Sequence, residues 1–254
     1  SSQLDMDRLD YLRRDSFYTG VTEGNIGSAR IIKMLNVVND SLVVDQKGIY
    51  SLENYLTTRR LMYWQVYLHR TCVAYEKTLV NMLTRAKDLV RMGQNVFASP
   101  ALHYFLENDV DKKWFNGNPE ALRNYEELDD TDIWSAMKAW RHHEDKILAT
   151  LATDMLDRHI FKVEVSEEPF EETHIMDIAQ DISNRMNISI EDARHYMMSL
   201  NTISKDMYNV EDDSISILYK NGDIRDISEA SELLNVQLLS KKIRKYYLSY
   251  QRFE

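Results

Sequence analysis

Seven glycines and three prolines in 254 residues leave this chain few places to break a helix. Both residues interrupt helices strongly, so their scarcity predicts long helices joined by short links. The apolar spacing agrees. Residues 51–92 carry a nearly unbroken three-and-four repeat through Leu56, Met62, Val66, Val73, Leu79, Met82, Leu83, Ala86 and Leu89, closed by Gly93 as a C-cap. Helices are also predicted over 3–18, 27–38, 100–108 and 119–126, with a short extended stretch at Leu42-Val43-Val44. Thr131 can cap a helix to about Arg158, with Ile133, Met137, Trp140, Ile147, Leu151 and Met155 on its inner face.

The pattern then changes. Phe161, Val163 and Val165 alternate with Lys162 and Glu164, as a strand requires, and an acidic loop follows over 167–172. Helices are predicted over 174–186 and after Ser189, which has Asp192 in a capping-box-like position. Ile215, Ile217 and Tyr219 alternate ahead of Asn221-Gly222, a hairpin signal, and a last helix is predicted from about Glu229 to Tyr250. The expected architecture is mainly α, with a helical body over 1–158 and a small α+β appendage over 159–254.

At 44% apolar and 28% charged residues, the chain is neither disordered nor membrane-embedded, and no apolar run approaches a membrane span. A lone cysteine, Cys72, excludes an internal disulfide and a thiolate zinc site, so a reducing cytoplasm is the expected setting and the sequons at Asn39 and Asn187 read as chance. A net charge of −10 disfavours broad nucleic-acid binding. Lys241, Lys242, Arg244 and Lys245, with Tyr246 and Tyr247, would support it only as a real patch; they read as a solvated amphipathic helix. The chain opens Ser1-Ser2-Gln3-Leu4 without methionine and enters a patterned helix at once, which suggests a fragment or a processed chain.

Two segments can carry chemistry. In the first, Asp7, Tyr11 and Asp15 lie four apart on one helical face, with Arg8 beside them. Carboxylates suit hard cations and arginine grips phosphate bidentately; the plainer reading is a solvated face of ion pairs. In the second, Arg59, Tyr63 and Tyr67 repeat the spacing, and a cation followed by two phenols suits a phosphorylated, ring-bearing ligand. Its plainer reading is core, as for Met62, Val66, His69 and Val73 beside it.

The first segment, Ser-x-Leu-Asp-x-Asp-Arg-x-Asp-Tyr-Leu-x-Arg-Asp-Ser followed by Tyr-x-Gly-Val, resembles the stretch closing the catalytic core of HD-domain deoxynucleoside triphosphate triphosphohydrolases. The second, Arg-x-x-Met-Tyr-Trp-Gln-Val-Tyr-Leu-His, resembles another segment of that family, and Asp157-Arg158-His159-Ile160-Phe161-Lys162 resembles a third more weakly. The resemblance covers about residues 2–165 and implies an HD-domain-type helical body. It implies that Asp7 is a metal ligand, that Arg8 and Arg59 contact substrate phosphate, that Tyr11, Asp15 and Tyr67 lie at the deoxyribose, and that Tyr63 also binds substrate. Tyr63 departs from the vertebrate relative, which has His there.

In that family a water activated by a divalent metal (Mg, Mn, Fe, Zn or Ni) attacks the α-phosphorus of a dNTP, here expected to be dGTP, and releases deoxynucleoside and triphosphate. Members assemble as dimers or tetramers with activating nucleotides. Arg30, Lys47, Arg70, Arg158 and Lys162 match basic positions of that regulatory site; ordinary solvated charge is the other reading. Asp45 departs from it.

The family's catalytic His and His-Asp pair have no counterpart: the chain contains no His-Asp dipeptide. His142-His143-Glu144-Asp145 is the tempting substitute, but its neighbours do not match, and it reads as a solvated helix face. One carboxylate does not hold a catalytic metal. The chain alone is therefore expected to be inactive and to need an HD half removed from it or carried on another chain. The alternative is a non-catalytic nucleotide-sensing or oligomerisation module.

Overall fold

The computed structural model describes residues 4–205, 214–231 and 243–253. The chain is mainly helical with two small sheets. It divides into two compact units, 1–69 with 203–244 and 70–202 with 245–254, instead of separating at residue 158. The packing explains the difference. Phe161, Ala193, Tyr196 and Met197, all expected in an appendage, are buried in the core built by the central helices. Ile215, Ile217 and Ile227 instead join the core of the N-terminal residues.

In the first unit, α1 (Met6–Thr19) begins at Asp5, whose side chain accepts the Asp7 amide, and ends at Gly20 with φ of 71°. The left-handed φ is one that glycine adopts without strain. α2 (Ser28–Lys33) is shorter than the predicted 27–38, because Leu35–Val38 forms β1. The β-branched pair Val37-Val38 and the turn at Asn39-Asp40 make this a hairpin with β2 (Ser41–Asp45). α3 (Ile49–Met62) is followed by a π-helical turn, Tyr63–Tyr67. β5 (Ser216–Leu218) lies parallel to β2 and turns through the predicted Asn221-Gly222 hairpin into β6 (Ile224–Asp226), then α12 (Ile227–Ala230). The sheet order is β1-β2-β5-β6.

Leu9 and Leu12 of α1 and Leu52, Tyr55, Leu56 and Met62 of α3 share the core of this unit. Gly24 sits where they meet: a Cβ there would lie 2.7 Å from both Met62 Sδ and Ser16 Oγ. Gly24→Ala should therefore cost about 1–3 kcal/mol through overpacking, read as a lowered urea midpoint.

In the second unit, α4 (Arg70–Arg91), α5 (Pro100–Glu107), α6 (Lys112–Gly117), α7 (Pro119–Glu127), α8 (Asp130–Trp140) and α9 (Lys146–Asp157) surround a core centred on Trp140, Met82, Leu89, Leu148 and Leu151. The single helix predicted over 51–92 is thus broken at Leu68-His69, and the one predicted to Arg158 is two helices. α8 is capped by Asp129 and Asp132 rather than by Thr131. β3 (Lys162–Ser166), α10 (Glu172–Met186), α11 (Ile190–Tyr196) and β4 (Met198–Lys205) follow, and Ser189 caps α11 as predicted.

β7 (Ile243–Tyr250) corrects the end of the predicted last helix, whose stretch over 232–242 lies outside the described residues: it pairs antiparallel with β3, Tyr247 opposite Val165, in a sheet of order β3-β7-β4. Aromatic and β-compatible side chains fill this stretch, and Tyr247 and Leu248 are buried. The suspected basic patch loses its helical face accordingly; Lys241 and Lys242 lie outside the described residues. No helix among the described residues is long and apolar enough to cross a membrane.

Candidate functional site

The two predicted stripes meet within the first unit. Tyr67 donates its hydroxyl to Asp15 Oδ2 at 2.7 Å across 52 positions of sequence. The Tyr11 and Tyr67 rings stand edge-on at 6.0 Å, and those of Tyr63 and Tyr67 at 5.3 Å. The Arg59 guanidinium lies 5.8 Å from the centre of the Tyr63 ring, within cation–π range. Arg8, on α1, is a hydrogen-bond neighbour of the Tyr55 hydroxyl. Six of the seven residues singled out from the sequence therefore form one connected group.

Asp7 does not join it. Its carboxylate is exposed in the first turn of α1, where it complements the helix dipole, and it makes no side-chain hydrogen bond or ion pair among the described residues. Tyr55 is the residue sequence reasoning missed. Its side chain is fully buried and its hydroxyl reaches both arginines' electrostatic range. The signal was present: Tyr55 stands four residues before Arg59, so the stripe starts one step earlier than the motif that drew attention to it.

The two guanidinium groups thus lie among tyrosines, Arg8 beside Tyr55 and Arg59 over Tyr63, while the one carboxylate of the group, Asp15, accepts the Tyr67 phenol. Burial raises the pKa of Tyr55, against the pull of Arg59 and Arg8. Burial and the Tyr63 phenol raise that of Tyr11. Burial and the bond to Asp15 raise that of Tyr67. Burial alone would lower the pKa of Arg8, but its tyrosine neighbours, Tyr55 first, outweigh it and raise it. All three tyrosines stay neutral and Arg8 stays charged through the physiological range, so the group suits an anion bearing hydroxyls. Among the described residues, no three His, Cys, Asp or Glu side chains converge as metal ligands.

The matched basic positions are divided between the units. Arg30 donates to the Lys47 carbonyl at 3.3 Å in the first unit, where Lys47 lines a cavity of about 300 Å³ with Tyr50 and Tyr219. Asp45 accepts the Lys47 amide at 2.8 Å, so its carboxylate caps a turn. In the second unit, Arg70 and Lys162 line one cavity and Arg158 another. Lys162 also packs on the Tyr250 ring at 5.3 Å.

His69 is exposed, not core. His142 to Asp145 link α8 to α9 and form no helix face. Asp145 caps α9 through the Leu148 amide and grips Arg85 at 2.6 and 3.1 Å. His143 Nδ1 accepts the Asp145 amide at 2.9 Å. The motif is spent on the turn.

A family model described as HD associated region matches residues 26–99, which include Tyr55, Arg59, Tyr63 and Tyr67. A crystal structure of a phosphohydrolase from Bacteroides thetaiotaomicron superposes with a TM-score of 0.92 at 59% identity, covering 99% of this chain and 62% of that one. The uncharacterized protein YwfO of Bacillus subtilis is 32% identical over 250 residues, which are 96% of this chain and 54% of that protein. A deoxynucleoside triphosphate triphosphohydrolase SAMHD1 homolog of Dictyostelium discoideum is 26% identical over 95 residues, 37% of this chain and 18% of that protein. The chain spans about half the length of the curated bacterial relatives it matches most fully. Residues 26–99 thus match the HD associated region, and the chain as a whole is similar to part of a phosphohydrolase.

Proposed function

We propose that this chain is the substrate-holding part of a metal-dependent phosphohydrolase that cleaves a dNTP, dGTP foremost, into deoxynucleoside and triphosphate. The observation that carries the reading is the convergence of Arg8 and Arg59 with Tyr55, Tyr11, Tyr63, Tyr67 and Asp15. The similarity to the Dictyostelium deoxynucleoside triphosphate triphosphohydrolase homolog supports the substrate class.

Arg8 and Arg59 neutralise and orient the phosphates through charge-assisted hydrogen bonds. Tyr67 fixes Asp15, whose free lone pairs accept a sugar hydroxyl, while Tyr11 and Tyr63 pack on the sugar. The residues present do not by themselves fit a metal: Asp7 stands alone, where a catalytic site needs about three protein ligands. In this reading the remaining ligands come from a segment outside this sequence, and the metal supplies the activated water.

The test is the intact parent protein with each dNTP and Mg²⁺ or Mn²⁺, with and without added nucleotides as activators, scored by chromatography of triphosphate. Release by the parent and none by this chain alone is the expected result. No release under any condition removes the enzymatic reading.

A second reading, nucleotide sensing without catalysis, draws on Arg70, Arg158 and Lys162, which line cavities in the second unit. In either reading, Arg30 and Lys47 in the first unit, and Arg70, Arg158 and Lys162 in the second, are each candidates to contact a regulatory nucleotide in a homo-oligomer. Calorimetric titration with GTP and dNTPs decides it; absence of binding by a folded oligomer ends it.

A further inference from the structure

Arg8, Tyr11, Asp15, Arg59, Tyr63 and Tyr67 are all half-buried, whereas Tyr55 beside them is 0% exposed. It lies on α3, one turn before Arg59. Its ring belongs to the core that Leu9 and Leu12 of α1 share with Leu52 and Leu56 of α3. A tyrosine side chain turns about only two bonds, so a ring packed in this way fixes its oxygen closely. The hydroxyl of a buried tyrosine takes a hydrogen-bond partner. Here the partner is the Arg8 guanidinium of the facing helix, and the Arg59 guanidinium acts on the same oxygen through space.

Arg8 needs such an anchor. It stands in the first turn of α1, and an arginine side chain has many rotamers that must be given up before its fork meets a phosphate. A guanidinium has five N–H donors, so a bond to one phenol oxygen leaves most of the fork for an anion. The chemistry of the anchor matters as well. A carboxylate in this place would hold the arginine and cancel its charge. A phenol kept neutral by burial holds it and leaves the positive field intact.

We propose that Tyr55 is a positioning residue: its buried hydroxyl aims the Arg8 guanidinium at substrate phosphate before substrate arrives. Tyr55 touches no substrate itself, because none of it reaches the surface. It acts through Arg8. The inference rests on the reading of this group as a substrate site, whereas the anchoring of Arg8 stands apart from that reading.

The test is a double-mutant cycle in the intact protein, made of Tyr55→Phe, Arg8→Ala and the two combined. Tyr55→Phe removes one oxygen and keeps the ring in the core. dGTP is titrated calorimetrically in EDTA, so that no turnover occurs. Tyr55→Phe should weaken binding about tenfold when Arg8 is present, the order expected when the ligand must itself order one long side chain. With Arg8→Ala already in place, it should change binding by less than about twofold. Equal losses in both backgrounds, or no loss in the first, overturn the positioning role. In turnover with Mg²⁺ the loss should fall on KM with kcat little changed, because the phosphate contact serves ground and transition states alike. Damage to the fold would lower the active fraction and kcat with it, so a fall in kcat at unchanged KM also overturns the role.

A measurement on wild type covers the case in which Tyr55→Phe does not fold. In protein carrying isotope-labelled arginine, the Arg8 Nε–H signal is assigned by its loss in Arg8→Ala. With no ligand present it should show an order parameter near that of rigid backbone, about 0.85. A value below about 0.6 marks a freely moving side chain and overturns the anchor. An intact protein that binds dGTP with this coupling yet releases no triphosphate keeps the role of Tyr55 and loses the reaction. One that hydrolyses dNTP with an additive cycle keeps the reaction and loses the role.

Discussion

Replacing Arg59 by Ala in the intact protein is expected to lower kcat/KM for dNTP hydrolysis by about 10²–10³, the usual loss when one preorganised donor to developing charge is removed. The side chain lies over Tyr63 and beside Tyr55, so its fork is aimed before substrate arrives and little entropy is lost on binding. Arg59→Lys should recover only part of the loss, because an ammonium keeps the charge without the planar pair of donors. The measurement is steady-state kinetics of triphosphate release, with thermal melts of each variant to establish folding. A folded Arg59→Ala enzyme with undiminished kcat/KM would falsify the assignment of Arg59 to substrate phosphate.

A second large effect concerns stability. The Asp154 carboxyl titrates near 6 in the folded chain against an ordinary 3.8, with burial the main cause. The folded pKa is the higher of the two. Whatever stability the group contributes is therefore fully present below about 3.8 and is lost as pH rises through about 6. Above that pH the folded chain bears the full cost of a buried charge. A difference of about two pKa units corresponds to roughly 3 kcal/mol. Asp154→Asn keeps the shape and removes the charge. It should stabilise the protein by about 2–3 kcal/mol at pH 7.5 and by little at pH 4. Urea denaturation of both proteins at the two pH values reads this out. Equal midpoints at pH 7.5 would show that the carboxyl pays no burial penalty.

Much of the site was legible because both of its stripes are local. Four-residue spacing placed Tyr11 with Asp15 and Tyr63 with Tyr67 on their faces, and the structure joins the faces through the Tyr67–Asp15 bond. Tyr55 was missed because, although it stands four residues before Arg59, its buried place beside Arg8 is set by tertiary packing that the spacing does not show. The isolation of Asp7 was equally out of reach, since its helix turn looks the same in sequence whether or not anything faces it. Elsewhere, tertiary context overrode local pattern. Leu35–Val38 reads as the end of a helix, yet it pairs with Ser41–Asp45. The chain from Ile243 to Tyr250 has the charge spacing of an amphipathic helix, and only its pairing with Lys162–Ser166 makes it a strand. The division into units was hidden for the same reason. Residues 215–227 join a core assembled some 150–200 positions earlier, and no local signal announces such a return.

The π-helical turn at Tyr63–Tyr67 carries a consequence for how this protein can vary. Such a turn holds one residue more than the α-helical path it replaces. Tyr67 closes that wide turn, so its reach to Asp15 depends on the surplus residue upstream. Substitutions at exposed Gln65 leave the residue count of the turn untouched, whereas deletion of the same residue would narrow it to the α path and redraw the geometry by which Tyr67 reaches Asp15. This segment should thus accept changes of identity far more readily than a change of length.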